Sequence, residues 1–162
     1  MRILIALFLG MTAIHANAQI PLKRGDRFPK FSLETISKAK YDEKELKGKV
    51  VVFDVGGSWA HGAVEAMNYY PVLLAKYKKR GLRVVAINID NEKETALKHI
   101  RKVTEDFPIL YDGDKKLIRK LNAEGFPMVY VVNRKGFITD VIPDYCENEF
   151  DVLEKRILSG GL

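Results

Sequence analysis

Val50-Val51-Val52-Phe53-Asp54-Val55 is the stretch that most limits what this chain can become. A near-continuous, mostly β-branched run this short is the pattern of a strand covered on both faces, as at the centre of an α/β sheet. It is launched by Gly48-Lys49 and passes, through Gly56-Gly57-Ser58-Trp59-Ala60-His61-Gly62, into a long helical pattern that starts near Ala63. A strand-to-helix junction presents its side chains at the positive end of a helix, where reactive groups are commonly held. The two positions best placed for that, Ala60 and Ala63, carry only methyl groups.

The rest of the chain builds a sheet around this strand. Gln19 to Lys30 is polar and proline-bounded, an N-terminal arm, and Phe31-Ser32-Leu33 alternates as a short strand. Ser37 to Lys40 reads as a turn and Tyr41 to Leu46 as a strand end with one helical turn. The helix from Ala63 is expected to run to Arg80 and stop at Gly81, kinked by Pro71, with Val64, Met67, Tyr70, Leu74 and Tyr77 inward. Tyr69, Tyr70 and Tyr77 belong to that helix face and the core rather than to a binding box.

Arg83 to Asp90 is a second buried strand, and Asn91 is placed to cap a helix to about Asp106 with Ala96, Ile100, Val103 and Phe107 inward. Ile109-Leu110-Tyr111 is too short to assign. Asp114 is expected to cap a small helix bearing Leu117, Ile118 and Leu121. Met128 to Asn133 and Phe137 to Ile142 form a hairpin across Arg134-Lys135-Gly136. Asn148 caps a last helix striped by Phe150, Leu153 and Ile157. The alternation implies a mixed sheet, parallel where helices cross over and antiparallel at the hairpin.

Residues 1–18 stand apart. Arg2, the apolar Ile3 to Ile14 and Ala16-Asn17-Ala18 have the layout of a secretory signal peptide cleaved after Ala18. The apolar run is shorter than the about 20 residues that span a bilayer, so no stable membrane anchor is expected after cleavage. The expectation is an exported protein, periplasmic or secreted, with residues 19–162 as one domain. The formal charge of +6 is spread thinly, its one dense cluster being Lys76, Lys78, Lys79 and Arg80 at a helix end. This is a poor nucleic-acid surface. The single cysteine, Cys146, allows no internal disulfide in a compartment where disulfides form.

Four motifs in sequence carry a resemblance. They are Gly48-Lys49-Val50-Val51-Val52-Phe53, Gly57-Ser58-Trp59, Lys78-Lys79-Arg80-Gly81-Leu82-Arg83-Val84-Val85-Ala86-Ile87-Asn88, and Gly125-Phe126-Pro127-Met128. From Phe28 to about Leu158 the chain resembles the thioredoxin-like superfamily, more narrowly the exported thiol–disulfide oxidoreductases of the TlpA/ResA kind and the wider redoxin (AhpC/TSA-like) group. The resemblance implies a thioredoxin fold: a central mixed β-sheet, helices on both faces and a short N-terminal extension. It also aligns the family's Cys-x-x-Cys with Ala60-His61-Gly62-Ala63. In the family the first thiolate attacks a substrate disulfide and the second thiol resolves the mixed disulfide. A methyl group does neither.

In thioredoxins the position of Asp54 holds a buried acid that helps move the second cysteine's proton; the plainer alternative is a strand-end carboxylate facing water or bonded to a backbone amide. His61 is a possible base, ligand or peptide contact, but an exposed loop histidine is the simpler reading. With only His99 beside it downstream of Ala18, no metal is expected, nor any cofactor. Pro127 corresponds to the family's cis-proline, where the backbone of the preceding residue, here Phe126, pairs with an extended substrate segment beside the tryptophan, here Trp59. Cys146, in the connection before the last helix, is either a reactive or an inert thiol.

Three functions remain open: a redox-inactive family member binding an extended peptide or protein partner, an oxidoreductase whose two cysteines were deliberately replaced by alanine, or a single-thiol protein acting through Cys146. Gly56 stands where the family commonly has an aromatic residue and Ala66 where relatives often have an acid. These further departures favour the first.

Overall fold

The computed structural model describes residues 20–100, 106–143 and 150–162, with the side chains of Val64, His99 and Ile100 excepted. Residues 1–19, Val103, Cys146 and Asn148 lie outside the described residues. Seven strands form one mixed sheet: β1 (Ser32–Thr35), β2 (Lys40–Asp42), β3 (Val50–Gly56), β4 (Leu82–Asn88), β5 (Ile109–Tyr111), β6 (Met128–Val132) and β7 (Ile138–Pro143), in the order β2-β1-β5-β4-β3-β6-β7. β3 pairs parallel with β4 and antiparallel with β6, and Val50 to Val55 are all buried, as the apolar run demands.

Because side chains alternate along a strand, β3 feeds two cores. Val50 and Val52 face a layer built from α1 (Ala63–Tyr77), α2 (Lys93–Ile100) and α4 (Phe150–Ser159), through Met67, Tyr70, Ala96, Leu153 and Ile157. Val51, Phe53 and Val55 face the N-terminal arm and α3 (Lys116–Leu121). There Phe28 stacks on Phe53 at 3.9 Å between ring centroids. Glu154 on α4 accepts hydrogen bonds from Tyr69, Tyr77 and Lys76 of α1, so the two helices are also tied at their solvent edge.

The helix ends differ from the sequence expectation in three places. α1 passes through Pro71 but stops at Tyr77, and Lys78–Arg80 tighten into a 3-10 turn closed by Gly81 at φ 100°. That turn lets three consecutive cations stay solvated while the chain reverses into β4. α2 starts at Lys93, the Glu92 carbonyl accepting the Ala96 amide, so Asn91 falls one residue too early to cap it. Asp114 is not the main cap of α3. Lys115 adopts φ 60°, which turns the chain so that the fully buried Asp112 accepts the amides of Leu117 (3.0 Å) and Ile118 (2.9 Å). Asp114 keeps only the Lys116 amide and its ammonium. α1 also buries Ala66 and Leu73 beyond the expected face.

Candidate functional site

The site lies where β3 ends. The loop from Gly57 to Gly62 closes in two successive turns, Ala60 N–H to Gly57 O at 3.0 Å and Ala63 N–H to Ala60 O at 3.3 Å, and Gly62 at φ 72° starts α1. The left-handed backbone at Gly62 is one that side-chain-bearing residues rarely adopt. Gly57 is required for space: a Cβ there would lie 2.4 Å from the Trp59 indole nitrogen and 2.8 Å from Asp90 Oδ1.

Asp90 is the residue that sequence reading passed over. It is 3% exposed, and its carboxylate accepts the Ser58 amide (3.0 Å), the Ser58 hydroxyl (3.1 Å) and the Asn88 side-chain amide (3.0 Å). Asn88 Oδ1 in turn accepts the Asp90 amide at 3.0 Å. The Lys115 ammonium donates to the carbonyls of Ile89 and Asp90. The end of β4 thus clamps the loop from beneath. The available signal was the polar pair Asn88 and Asp90 closing an otherwise apolar strand.

Asp54 is 8% exposed and turned into the protein rather than to bulk solvent, and the Tyr70 hydroxyl of α1 donates to its Oδ2 at 2.9 Å. Burial pushes its carboxyl up to about 6, with the Tyr70 hydrogen bond pulling weakly the other way. Asp54, Ala60, Ala63, Ala66, Met67 and Pro127 line one small cavity of about 10 Å³, room for about one water. The Phe126–Pro127 peptide is cis. Pro127 and Ala60 approach the same spot over Gly56, since a methyl there would lie 3.6 Å from the Pro127 Cβ and 3.7 Å from the Ala60 Cβ.

Outside this cavity, Trp59 (60% exposed) and Phe126 border an open groove of about 470 Å³ with Ser58, Ile89, Asn91 and Ile118. Six of the positions singled out from sequence therefore fall into two adjoining spaces: Asp54, Ala60, Ala63 and Pro127 inside, Trp59 and Phe126 outside. His61 is exposed and lines neither. Among the described residues no group of three or more His, Cys, Asp or Glu side chains gathers as a metal site would need.

A parallel β3–β4 pair, an antiparallel β6 opened by a cis-proline, and a helix starting beside that proline define a thioredoxin-fold protein. The chain belongs to the AhpC/TSA family, whose family model matches residues 24–141. It is 28% identical over 137 residues to the thiol-disulfide oxidoreductase ResA of Bacillus cereus (strain ZK / E33L), covering 84% of this chain and 76% of that one. It is 27% identical over 148 residues to the thioredoxin-like protein YneN of Bacillus subtilis (strain 168), 86% and 85% of the two chains. Among solved structures, a protein of Chlorobium tepidum assigned as thiol:disulfide interchange protein DsbE superposes with a TM-score of 0.80 at 26% identity, covering 86% of this chain and 98% of that one.

Proposed function

We propose that this chain is an exported thioredoxin-fold protein that holds an extended peptide or a partner protein at its Trp59–Pro127 face and performs no dithiol exchange. The observation that carries the reading is that the loop, helix start and cis-proline enclose two methyl groups, Ala60 and Ala63, where a dithiol enzyme needs sulfur. Disulfide exchange requires a thiolate to attack and a second thiol to resolve. A binding groove requires neither. Phe126 lies just before the paired residues of β6, so its backbone is the segment with which an extended chain would pair, and Trp59 with Ile118 offers apolar contact beside it. Export rests on the leader-like layout of residues 1–18.

Turnover gives the test. In a dithiothreitol-driven disulfide-reduction assay, the chain is expected to match its cysteine-free Cys146→Ser variant, both at the uncatalysed rate. Turnover that disappears in Cys146→Ser would overturn the reading in favour of a single-thiol mechanism.

A further inference from the structure

A second concavity lies at the opposite end of β3. A groove of about 560 Å³ opens where β3 begins, between the N-terminal arm, the 3-10 turn Glu43–Leu46 and the β6–β7 hairpin turn. Its lining reaches along β3 only as far as Phe53, three residues or about 10 Å short of the end of the strand where the site lies. Its floor is apolar, formed by the largely buried Phe28, Leu46, Val51, Phe53 and Val132, whose outer edges line the groove. Its rim is cationic. Lys30, Lys44, Lys47, Lys49 and Lys135 line it against one acid, Glu43.

None of these five lysines belongs to an ion pair among the described residues. The two arginines of the rim are already occupied. Arg27 lies over the Phe137 ring at 4.8 Å, and Arg134 donates to the carbonyls of Gly161, Gly48 and Arg80. Like charges around a low-dielectric concavity repel one another and focus a positive potential into it. A bound counter-charge relieves that repulsion, and an apolar body on it covers the floor.

We propose that this groove binds a single amphiphilic organic anion, of the long-chain carboxylate class. The volume lies in the range of small-molecule sites, whereas a macromolecular partner needs a broad face of about 800 Å². Residues 1–18 contain no acid to meet the lysines, so that segment does not complement the rim.

The test is calorimetric titration of the full chain with sodium dodecanoate kept below its micellar concentration. One saturable site is expected, with amide shifts confined to residues 27–31, 43–51 and 132–136. The double variant Lys47→Glu/Lys49→Glu and, separately, Lys135→Glu on the hairpin should each weaken binding at least about tenfold, and neutral dodecanol should bind at least about tenfold more weakly than dodecanoate. The variants alter solvated side chains, and unchanged circular dichroism verifies their folding. No saturable binding, binding indifferent to either charge reversal, or shifts centred on Trp59 would overturn the proposal. Association with phosphatidylglycerol vesicles without binding of monomeric dodecanoate would overturn it too, marking the face as a membrane contact.

Discussion

Placing cysteine at both 60 and 63 is expected to produce a disulfide that forms in air, is lost in dithiothreitol and re-forms on its removal. The backbone is already set for it. The Ala63 amide donates to the Ala60 carbonyl in a tight turn, which keeps the two Cα atoms within about 7 Å, inside the range a disulfide spans. The first thiol would sit at the start of α1, where the helix dipole lowers thiol pKa and favours the nucleophilic thiolate. Asp54 would lie across the same small cavity as both positions, available to exchange a proton with the second. The Ala60→Cys/Ala63→Cys variant should therefore reduce disulfides at least roughly tenfold faster than the native chain. Mass spectrometry under alkylation reads the bond, and the turnover assay reads the activity. Two thiols that stay free in air would show that the loop does not place these positions as a dithiol site.

Replacing Asp54 by asparagine is expected to stabilise the protein above neutral pH and to change little in acid. The folded carboxyl titrates at about 6 against the ordinary 3.8. The folded state therefore holds its proton more tightly than the unfolded state does. Below the unfolded value both states are protonated and Asp54 costs nothing. As pH rises from 3.8 to 6 the unfolded chain ionises first, and stability falls by about 1.4 kcal/mol per pH unit. Above 6 the loss is complete, about 3 kcal/mol, because the folded protein then carries an ion that burial disfavours. Asparagine can still accept the Tyr70 hydroxyl and has no ion to bury. Chemical denaturation of both proteins from pH 4 to pH 8 should give stability curves that converge in acid and diverge by about 2–3 kcal/mol at pH 8. Parallel curves would show that Asp54 does not titrate in this window.

The architecture was largely legible because it rests on patterns that tertiary contacts do not override. Val50 to Val55 could only be a doubly covered strand, and Arg134-Lys135-Gly136 between two apolar runs could only be a hairpin, with Gly136 at φ 84°. The errors cluster where a polar side chain acts across the chain. Adjacency in sequence points to Asp114 as the cap of α3, yet the left-handed turn at Lys115 delivers Asp112 instead. Asp90 looked like the last residue of a strand, and its role depends on Ser58, thirty-two residues away. Ile109–Tyr111 was undecidable alone, since three residues become a strand only when paired with β4 and β1. The site follows the same division. Trp59, Phe126 and Pro127 are legible through the family resemblance that their motifs carry, whereas the open groove beside Trp59 also needs Ile118 from α3, which no local pattern connects to it.

On the proposed reading the site frame serves as a binding surface without sulfur chemistry. Trp59 reports on that surface directly, being the only tryptophan and 60% exposed. The decisive measurement is its fluorescence during titration with cysteine-free extended peptides selected against the native chain. A saturable shift in emission, identical in Cys146→Ser, is the predicted result. Peptides that bind without changing Trp59 emission, or that bind only when Cys146 is present, would contradict it.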